Sequence, residues 1–493
     1  KGEVDMGLRT ANDYKASLQD NRVIYYKGEQ VKDVTTHPAL RVAVEHASID
    51  YRMAEDPRYR DLAVVEDPET GELISRYFYL PRNSDDLIKR SQLIETATRL
   101  GRTLVVLIKE IGTDALYALH MLAHYMDDHE GTDYLSRVKA FYRHCADNDL
   151  AVAVAQTDVK GDRSLAPTAQ EHPDYYVRIV DERPDGIVVR GAKIHTSVLT
   201  NSNEVIVLPT RNMSEADKDY AVAFAVPANT PGLKMICSPY GAPREGSFDH
   251  PITSQHKMTE TLTVFDDVFV PRERVFLQKE WQYAGVLAKT FVEFHRFTAI
   301  SYKLPLTDAL AGAAQLIADY NGLTRAGHIR EKITRLIAYT QTLRALTQQA
   351  ALDCRIAEED IAVPSPLLVN IAKLHFAENY HKMVSYVQDI AGGILVTGPS
   401  EEDFLNPETR PLVEKYLGGK AGVSARDRVQ VLNMISDLTA SDFGGYQEVL
   451  AIHAEGSIEA EKMTIHREFD FRGHLELAKY IAGLDHATDA LGL

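Results

Sequence analysis

The stretch V-R-I-V-D-E-R-P-D-G-I-V-V-R-G-A-K (177–193) sets two β-branched runs on either side of Pro184-Asp185-Gly186. Proline presets one turn dihedral and glycine frees another, so the stretch predicts two antiparallel strands joined by a tight turn. What precedes it reads as helix. Ser84-Asp85-Asp86 offers a helix start, followed by Ile88, Leu93, Ile94, Ala97 and Leu100 at helical spacing. A second helix is predicted from near Gly112-Thr113-Asp114, and a third over about 132–148. After the hairpin come further short strands at 204–210, 220–227 and 261–271. From about residue 280 the 3.6 period returns, with helices predicted over 327–356, 366–390, 427–438 and 457–480. Pro364-Ser365-Pro366 separates the first two of these. The class is therefore α+β: an N-terminal helical domain (1–150), a middle β-barrel domain (151–278) and a C-terminal helical bundle (279–493).

A chain of 493 residues exceeds what one core usually serves. Its net charge of −17 argues against nucleic acid and anionic membranes as partners, since both demand clustered cations. The absence of a long apolar run or a signal-peptide pattern predicts a soluble, cytoplasmic protein. Cys145, Cys237 and Cys354 lie far apart, in no metal-type spacing, and suit a reducing compartment. His120 and His124 have the i,i+4 spacing of a metal pair, but the intervening Glu of H-E-x-x-H is missing. No metal site is predicted.

The specific signal lies where helix yields to strand, in A-Q-T-D-V-K-G-D-R-S-L-A-P-T-A-Q (155–170). This resembles the flavin-proximal loop of one superfamily, the 4-hydroxyphenylacetate 3-hydroxylases and the 4-hydroxybutyryl-CoA dehydratases. The likeness continues through R-I-V-D-E-R-P-D-G-I-V-V-R-G-A-K-I-H-T-S (178–197), V-F-D-D-V-F-V-P (264–271), A-D-Y-N-G (318–322) and D-I-A-G-G-I-L-V-T-G-P-S-E-E-D-F (389–404). The resemblance implies an acyl-CoA dehydrogenase-like fold, FAD as cofactor, and a homotetramer in which a neighbouring subunit completes the flavin site. It assigns Gln156, Thr157, Lys160, Asp162, Arg163, Ser164, Thr196, Ser197, Gly392 and Gly393 to the cofactor. Their chemistry agrees: hydroxyl, amide and cationic donors suit the edge of an isoalloxazine, and paired glycines let backbone approach a ring or phosphate. Taken alone, D-R-S and G-G read as turn chemistry.

The two branches make different demands. The dehydratases are similar in holding a [4Fe–4S] cluster through three cysteines and a histidine. The matching positions here are Val106, Glu110, Tyr302 and His295, so every thiolate is missing and no iron–sulfur cluster is expected. The hydroxylases carry an Arg and a Tyr where Ile111 and Ala115 stand, and a His where Val154 stands. In contrast, D-F-G-G-Y-Q-E-V-L-A (442–451) looks more like the hydroxylases. The sequence is a hybrid.

The resemblance therefore implies a reduced-flavin (FADH2)-dependent monooxygenase of a two-component system. A flavin C4a-hydroperoxide would hydroxylate a small aromatic or other electron-rich substrate. No G-x-G-x-x-G follows a predicted strand, so electrons must come from a separate flavin reductase. The alternative is a cluster-free CoA-thioester dehydratase or isomerase. Within V-E-F-H-R-F-T-A-I-S-Y-K (292–303), His295 is the candidate acid or base, its ordinary pKa lying near working pH. Tyr302 and Lys303 are candidates for orienting an acidic substrate, and Glu260 aligns with a dehydratase active-site carboxylate. The bland readings are a packed helix histidine bonded to a backbone carbonyl, a core tyrosine and an exposed strand-start glutamate.

Overall fold

The structure, a computed structural model, describes residues 8–241 and 244–484. Along the chain, the strands of its two main sheets are β1 (Val23–Tyr26), β2 (Glu29–Val31), β3 (Val152–Ala155), β4 (Arg178–Arg183) and β5 (Gly186–Ser197). They continue with β6 (Glu204–Val207), β7 (Val222–Pro227), β8 (Leu233–Cys237), β9 (Glu260–Pro271) and β10 (Val275–Gln278). The predicted hairpin is β4–β5, antiparallel, with Arg183 opposite Gly186 and a two-residue Pro184-Asp185 connection. Gly186 is demanded by space as well as by the turn. A Cβ there would lie 2.2 Å from the Val270 carbonyl oxygen on the neighbouring β9.

The sheets run β2-β1-β8-β9-β5-β4 and β10-β7-β6-β3. They do not form the closed barrel expected from the strand pattern, since each retains two edge strands. Among the described residues, one isolated antiparallel bridge joins them, from Asp158, just beyond the end of β3, to Lys193 on β5. Helices explain the opening: Glu110–Glu130 packs on β3 and Tyr134–Asp147 on β10, turning the smaller sheet's outer strands toward helix. The first two strands come from the N-terminal segment, where β1 pairs parallel with β8. At the corner Lys193, buried, pairs with Asp158 at 2.8 Å and donates to the carbonyls of Gln156 (2.7 Å) and Leu208 (2.8 Å). A buried ion pair satisfied this fully holds the 156–158 segment against β5, and removing one member costs about 3–5 kcal/mol.

Numbering selected helices in chain order, α1 is Arg41–Ala47, α2 Ser84–Leu100, α3 Glu110–Glu130, α4 Tyr134–Asp147 and α5 Trp281–Tyr320. They are followed by α6 (Gly327–Leu352), α7 (Pro366–Ala391), α8 (Ala425–Thr439), α9 (Asp442–His453), α10 (Ile458–Glu468) and α11 (Arg472–Ile481). The helix predicted over 457–480 is thus two, broken at Phe469–Phe471, and the cap of α2 is Asn83, whose side chain accepts from Asp86 N at 3.0 Å. The 40-residue α5 is the spine of the bundle, with α2, α3, α6 and α7 packed around it. Leu287, Phe291, Phe294, Phe297, Ile300 and Leu304 are all buried along it. Each is worth roughly 1.5–3 kcal/mol. Because α5 is covered on nearly every side, it shows no clean polar face. Among the described residues, no helix is long and apolar enough to cross a membrane.

Candidate functional site

The densest chemistry lies where β5 meets β9. Their register sets Glu260 opposite Ser197 and Thr261 opposite Thr196. Ser197 Oγ donates to the Glu260 carboxylate, 2.9 and 3.0 Å from its two oxygens, and Tyr446 OH, arriving from α9, donates at 2.6 Å. Tyr446 is itself stacked on Tyr240, centroids 4.3 Å apart. Protein atoms crowd the Glu260 carboxyl, although the residue keeps a fraction of its surface in solvent. Burial pushes its pKa up to about 7, against the pull of the Tyr446 and Ser197 hydrogen bonds. Three residues earlier, burial lowers the Lys257 amine to about 8, where it donates to the carbonyls of Tyr240 and Gly241. A carboxyl raised and an amine lowered toward neutrality make this a candidate acid–base locus.

Thr196, next to Ser197, is buried, and its hydroxyl has no hydrogen-bond partner among the described residues. Native proteins rarely leave such a group unpaired, because the lost hydration costs about 1–3 kcal/mol. A ligand acceptor such as a flavin ring nitrogen fits this donor. The 155–170 loop supplies six more of the assigned set. The carbonyls of Gln156 and Thr157 are tied to Lys193 and to Ile194 N (2.8 Å), which fixes the start of the loop. Lys160 is half-buried with φ of +77°, and its amine is held below its ordinary value by burial, then by Arg163. Asp162 accepts from Ser164 N (2.9 Å) and Ser164 Oγ (2.7 Å), so those two residues make a local turn, with Arg163 exposed between them. Gly392 and Gly393 sit apart, exposed at the end of α7, with Gly392 at φ of +80° and open space where a Cβ would stand.

His295 and Tyr302 share a helix but face different neighbours. His295 Nδ1 meets Asp114 Oδ2 on α3 at 3.1 Å, and the imidazole stacks on Phe291. Asp114 is buried and also accepts from Arg90 (2.7 Å) and Thr298 (2.9 Å). That arrangement holds an Nδ1–H toward the carboxylate and leaves Nε2 open for chemistry. Tyr302 OH donates to Glu455 Oε1, while Lys303 Nζ lies 3.0 Å from Glu455 Oε2. Glu455 belongs to the turn between α9 and α10, with φ of +56°. Lys373 closes the buried cluster, 3.7 Å from Glu455 and 3.2 Å from Glu461. Burial raises the Glu455 carboxyl and lowers the Lys303 amine, each well away from its ordinary value. The structure thus sets Tyr302 and Lys303 against an internal carboxylate.

The dehydratase cluster positions carry Val106 in the core, Glu110 accepting from Tyr77 OH (3.2 Å), and Tyr302 committed to Glu455. This donor set, without a thiolate, does not fit an iron–sulfur cluster. His120 and His124 do not converge: His120 faces the Leu116 carbonyl, whereas His124 meets Glu359 at 2.9 Å. Sequence reading missed Asp114, Arg90, Glu455 and Lys373, and did not single out Tyr446. Tyr446 stood inside D-F-G-G-Y-Q-E and Asp114 inside the helix-start stretch Gly112-Thr113-Asp114, though neither was read as a site residue. The others lie far along the chain from the residues they serve.

Comparison with known proteins agrees over nearly the whole chain. Residues 10–277 match the 4-hydroxyphenylacetate 3-hydroxylase N-terminal family model, and residues 284–483 the C-terminal one. The chain is 35% identical to 4-hydroxybutyryl-CoA dehydratase/vinylacetyl-CoA-Delta-isomerase of Clostridium aminobutyricum, covering 97% of this chain and 100% of that protein. It is 32% identical to the 4-hydroxyphenylacetate 3-monooxygenase oxygenase component of Thermus thermophilus, covering 90% of each. Among solved structures, an oxygen-tolerant archaeal 4-hydroxybutyryl-CoA dehydratase from N. maritimus superposes with a TM-score of 0.91 at 31% identity, covering 97% of this chain and 96% of that one. The oxygenase component of 4-hydroxyphenylacetate 3-monooxygenase complexed with FAD follows at 0.88 and 28%, covering 98% and 100%. These relatives are enzymes, and the chain belongs to the 4-hydroxyphenylacetate 3-hydroxylase family, whose members include both monooxygenases and 4-hydroxybutyryl-CoA dehydratase.

Proposed function

We propose that the chain is the oxygenase of a two-component monooxygenase, which takes reduced FAD from a separate reductase and hydroxylates a small electron-rich substrate. The observation that carries this reading is the fate of positions 106, 110 and 302, whose side chains are apolar or committed to protein partners. With no thiolate at these positions, flavin is left to do the redox work. When bound, the reduced flavin supplies the means of activating oxygen. The chain's own residues do the rest. Thr196 donates its unpaired hydroxyl to the cofactor, and Gln156, Thr157, Lys160, Asp162, Arg163 and Ser164 form the flavin-facing loop. Glu260 exchanges a proton with the substrate, held in place by Ser197 and Tyr446. His295, oriented by Asp114, presents Nε2 as a second proton carrier. Lys303 and Tyr302 act through the Glu455 cluster, which braces the helix that carries His295. Gly392 and Gly393 serve the flavin of a neighbouring copy in a homotetramer, a role their exposure supports.

The test couples a generic NADH-dependent flavin reductase to the purified chain with a panel of phenols. Oxygen-dependent product carrying one added hydroxyl is the expected result. Anaerobic turnover of vinylacetyl-CoA, without any reductant, would overturn it. A second reading, a cluster-free CoA-thioester dehydratase or isomerase, draws on Glu260, whose carboxyl at about 7 suits reversible proton transfer at a carbon.

A further inference from the structure

Strand β5 carries an extra residue against its neighbour β9. Thr263 lies opposite Lys193 and Thr261 opposite Thr196, so Leu262 of β9 stands against both Ile194 and His195. This is a β-bulge, a feature that re-aims the side chains beyond it and recurs beside active sites. His195 absorbs the extra residue by taking the left-handed conformation, with φ of +58°. Burial follows the same break. Gly191 and Lys193 are buried, and the next buried residue is Thr196, with His195 exposed. Without the kink the period of two would carry on, setting Thr196 opposite Glu260 and turning its hydroxyl out of the interior. Ser197, the donor to Glu260, would then lie beyond the first residue of β9.

The residue type fits the task. Left-handed backbone is uncommon outside glycine, and histidine, with asparagine and aspartate, is several-fold enriched there. The His195 imidazole makes no hydrogen bond among the described residues, so what the position contributes is its backbone. Val198 also stands in the left-handed region, φ +56°, and the Thr196-Ser197 pair is bracketed on both sides. Such conformations cost stability and persist chiefly where the surrounding structure enforces them, commonly at functional sites. The kink serves a second neighbour as well. Ile194 N donates to the Thr157 carbonyl (2.8 Å) at the start of the 155–170 loop. One bulge thus joins that loop, the orphan Thr196 hydroxyl and the Ser197–Glu260 hydrogen bond.

We propose that His195 is a positioning residue of the site, whose left-handed backbone holds the Thr196 hydroxyl toward the cofactor and Ser197 on Glu260. The cofactor half of this role rests on the functional reading; the Ser197–Glu260 half stands on the strand register alone. The test is a series in the full chain. His195→Gly and His195→Asn accept the conformation, whereas His195→Val and His195→Thr carry branched side chains that resist it. Infrared titration of the Glu260 carboxyl, with Glu260→Gln identifying the band, reads the Ser197 bond without substrate or flavin. Glycine and asparagine should keep the parent midpoint, at about 7. Valine and threonine should raise it by up to about one unit, as Ser197 is drawn off the carboxylate it stabilises. FAD affinity should divide the same way, falling at least about threefold in the two branched variants. A purely structural residue would lower the melting temperature and leave the midpoint in place. Equal midpoints across the four variants overturn the proposal. A shift in His195→Gly as large as in His195→Val also overturns it, by giving the role to the imidazole. Should His195→Val fail to fold, the contrast between threonine and glycine decides in its place. Failure of the parent to bind FAD would sink the flavoprotein reading and leave the infrared series to decide the role of His195.

Discussion

The hydrogen bond from Tyr446 to Glu260 gives the sharpest handle on the site. Tyr446→Phe removes one hydroxyl and keeps the ring that stacks on Tyr240. The lost bond, 2.6 Å long, donates to the carboxylate and so favours its ionised form. Hydrogen bonds to charged groups contribute about 1.5–3 kcal/mol, and a pKa unit corresponds to about 1.36 kcal/mol, which gives a rise of roughly one to two units. Glu260 retains some solvent, so the lower end applies. Its carboxyl, at about 7 in the parent, should move to about 8. Infrared difference titration reads this directly, with Glu260→Gln identifying the band, and requires no knowledge of the substrate. A midpoint that stays in place or moves down would refute the assignment of Tyr446 as the donor that tunes Glu260.

Thr196→Val should leave the flavin-free chain as stable or more stable, because the unpaired hydroxyl goes, while FAD affinity falls roughly tenfold. Fluorescence titration together with a melting curve decides it, and unchanged affinity removes Thr196 from the cofactor site. Glu260→Gln should flatten the pH dependence of stability. The native carboxyl at about 7 lies above the ordinary 4.5, so its contribution is complete below 4.5 and is lost as pH rises through 7. The parent should therefore melt lower at pH 8 than at pH 5 by more than the variant does. Asp114→Asn strips Arg90 of its buried counter-ion and should cost about 3–5 kcal/mol in urea denaturation; a loss under about 1 kcal/mol would mean that the pair is not buried as described.

What could be read in the sequence follows from how local each signal is. The β4–β5 hairpin was legible because strand patterning and turn chemistry fall within one short stretch. Helices α6 to α8 were legible because each keeps a polar face. The 40-residue α5 was not delimited, since neighbours on several sides erase the stripe that periodicity looks for. Strands β1, β3, β8 and β10, of four or five residues, are too short to show alternation, whereas β6, equally short, sits in the longer apolar run 204–210. At the site, Glu260 and His295 came from resemblance, and the structure gave them partners. Asp114 lies 181 residues from His295, and Glu455 lies 153 from Tyr302. Spacing along one helix joined His295 with Tyr302, but α3 claims the first and the α9–α10 turn the second.

The parallel pairing of β1 with β8 has a consequence for how the chain is made. Tyr26 leaves the ribosome long before its ladder partner Cys237, which follows more than two hundred residues later. Until β8 arrives, β1 and β2 can form at most a two-stranded ribbon, which is marginally stable in water. β8 in turn needs β9, which ends at Pro271. The larger sheet therefore cannot close until residues 233–271 have been made. Nascent chains halted before residue 233 should display β1 as an unprotected edge, the kind of surface that chaperones capture and aggregates recruit.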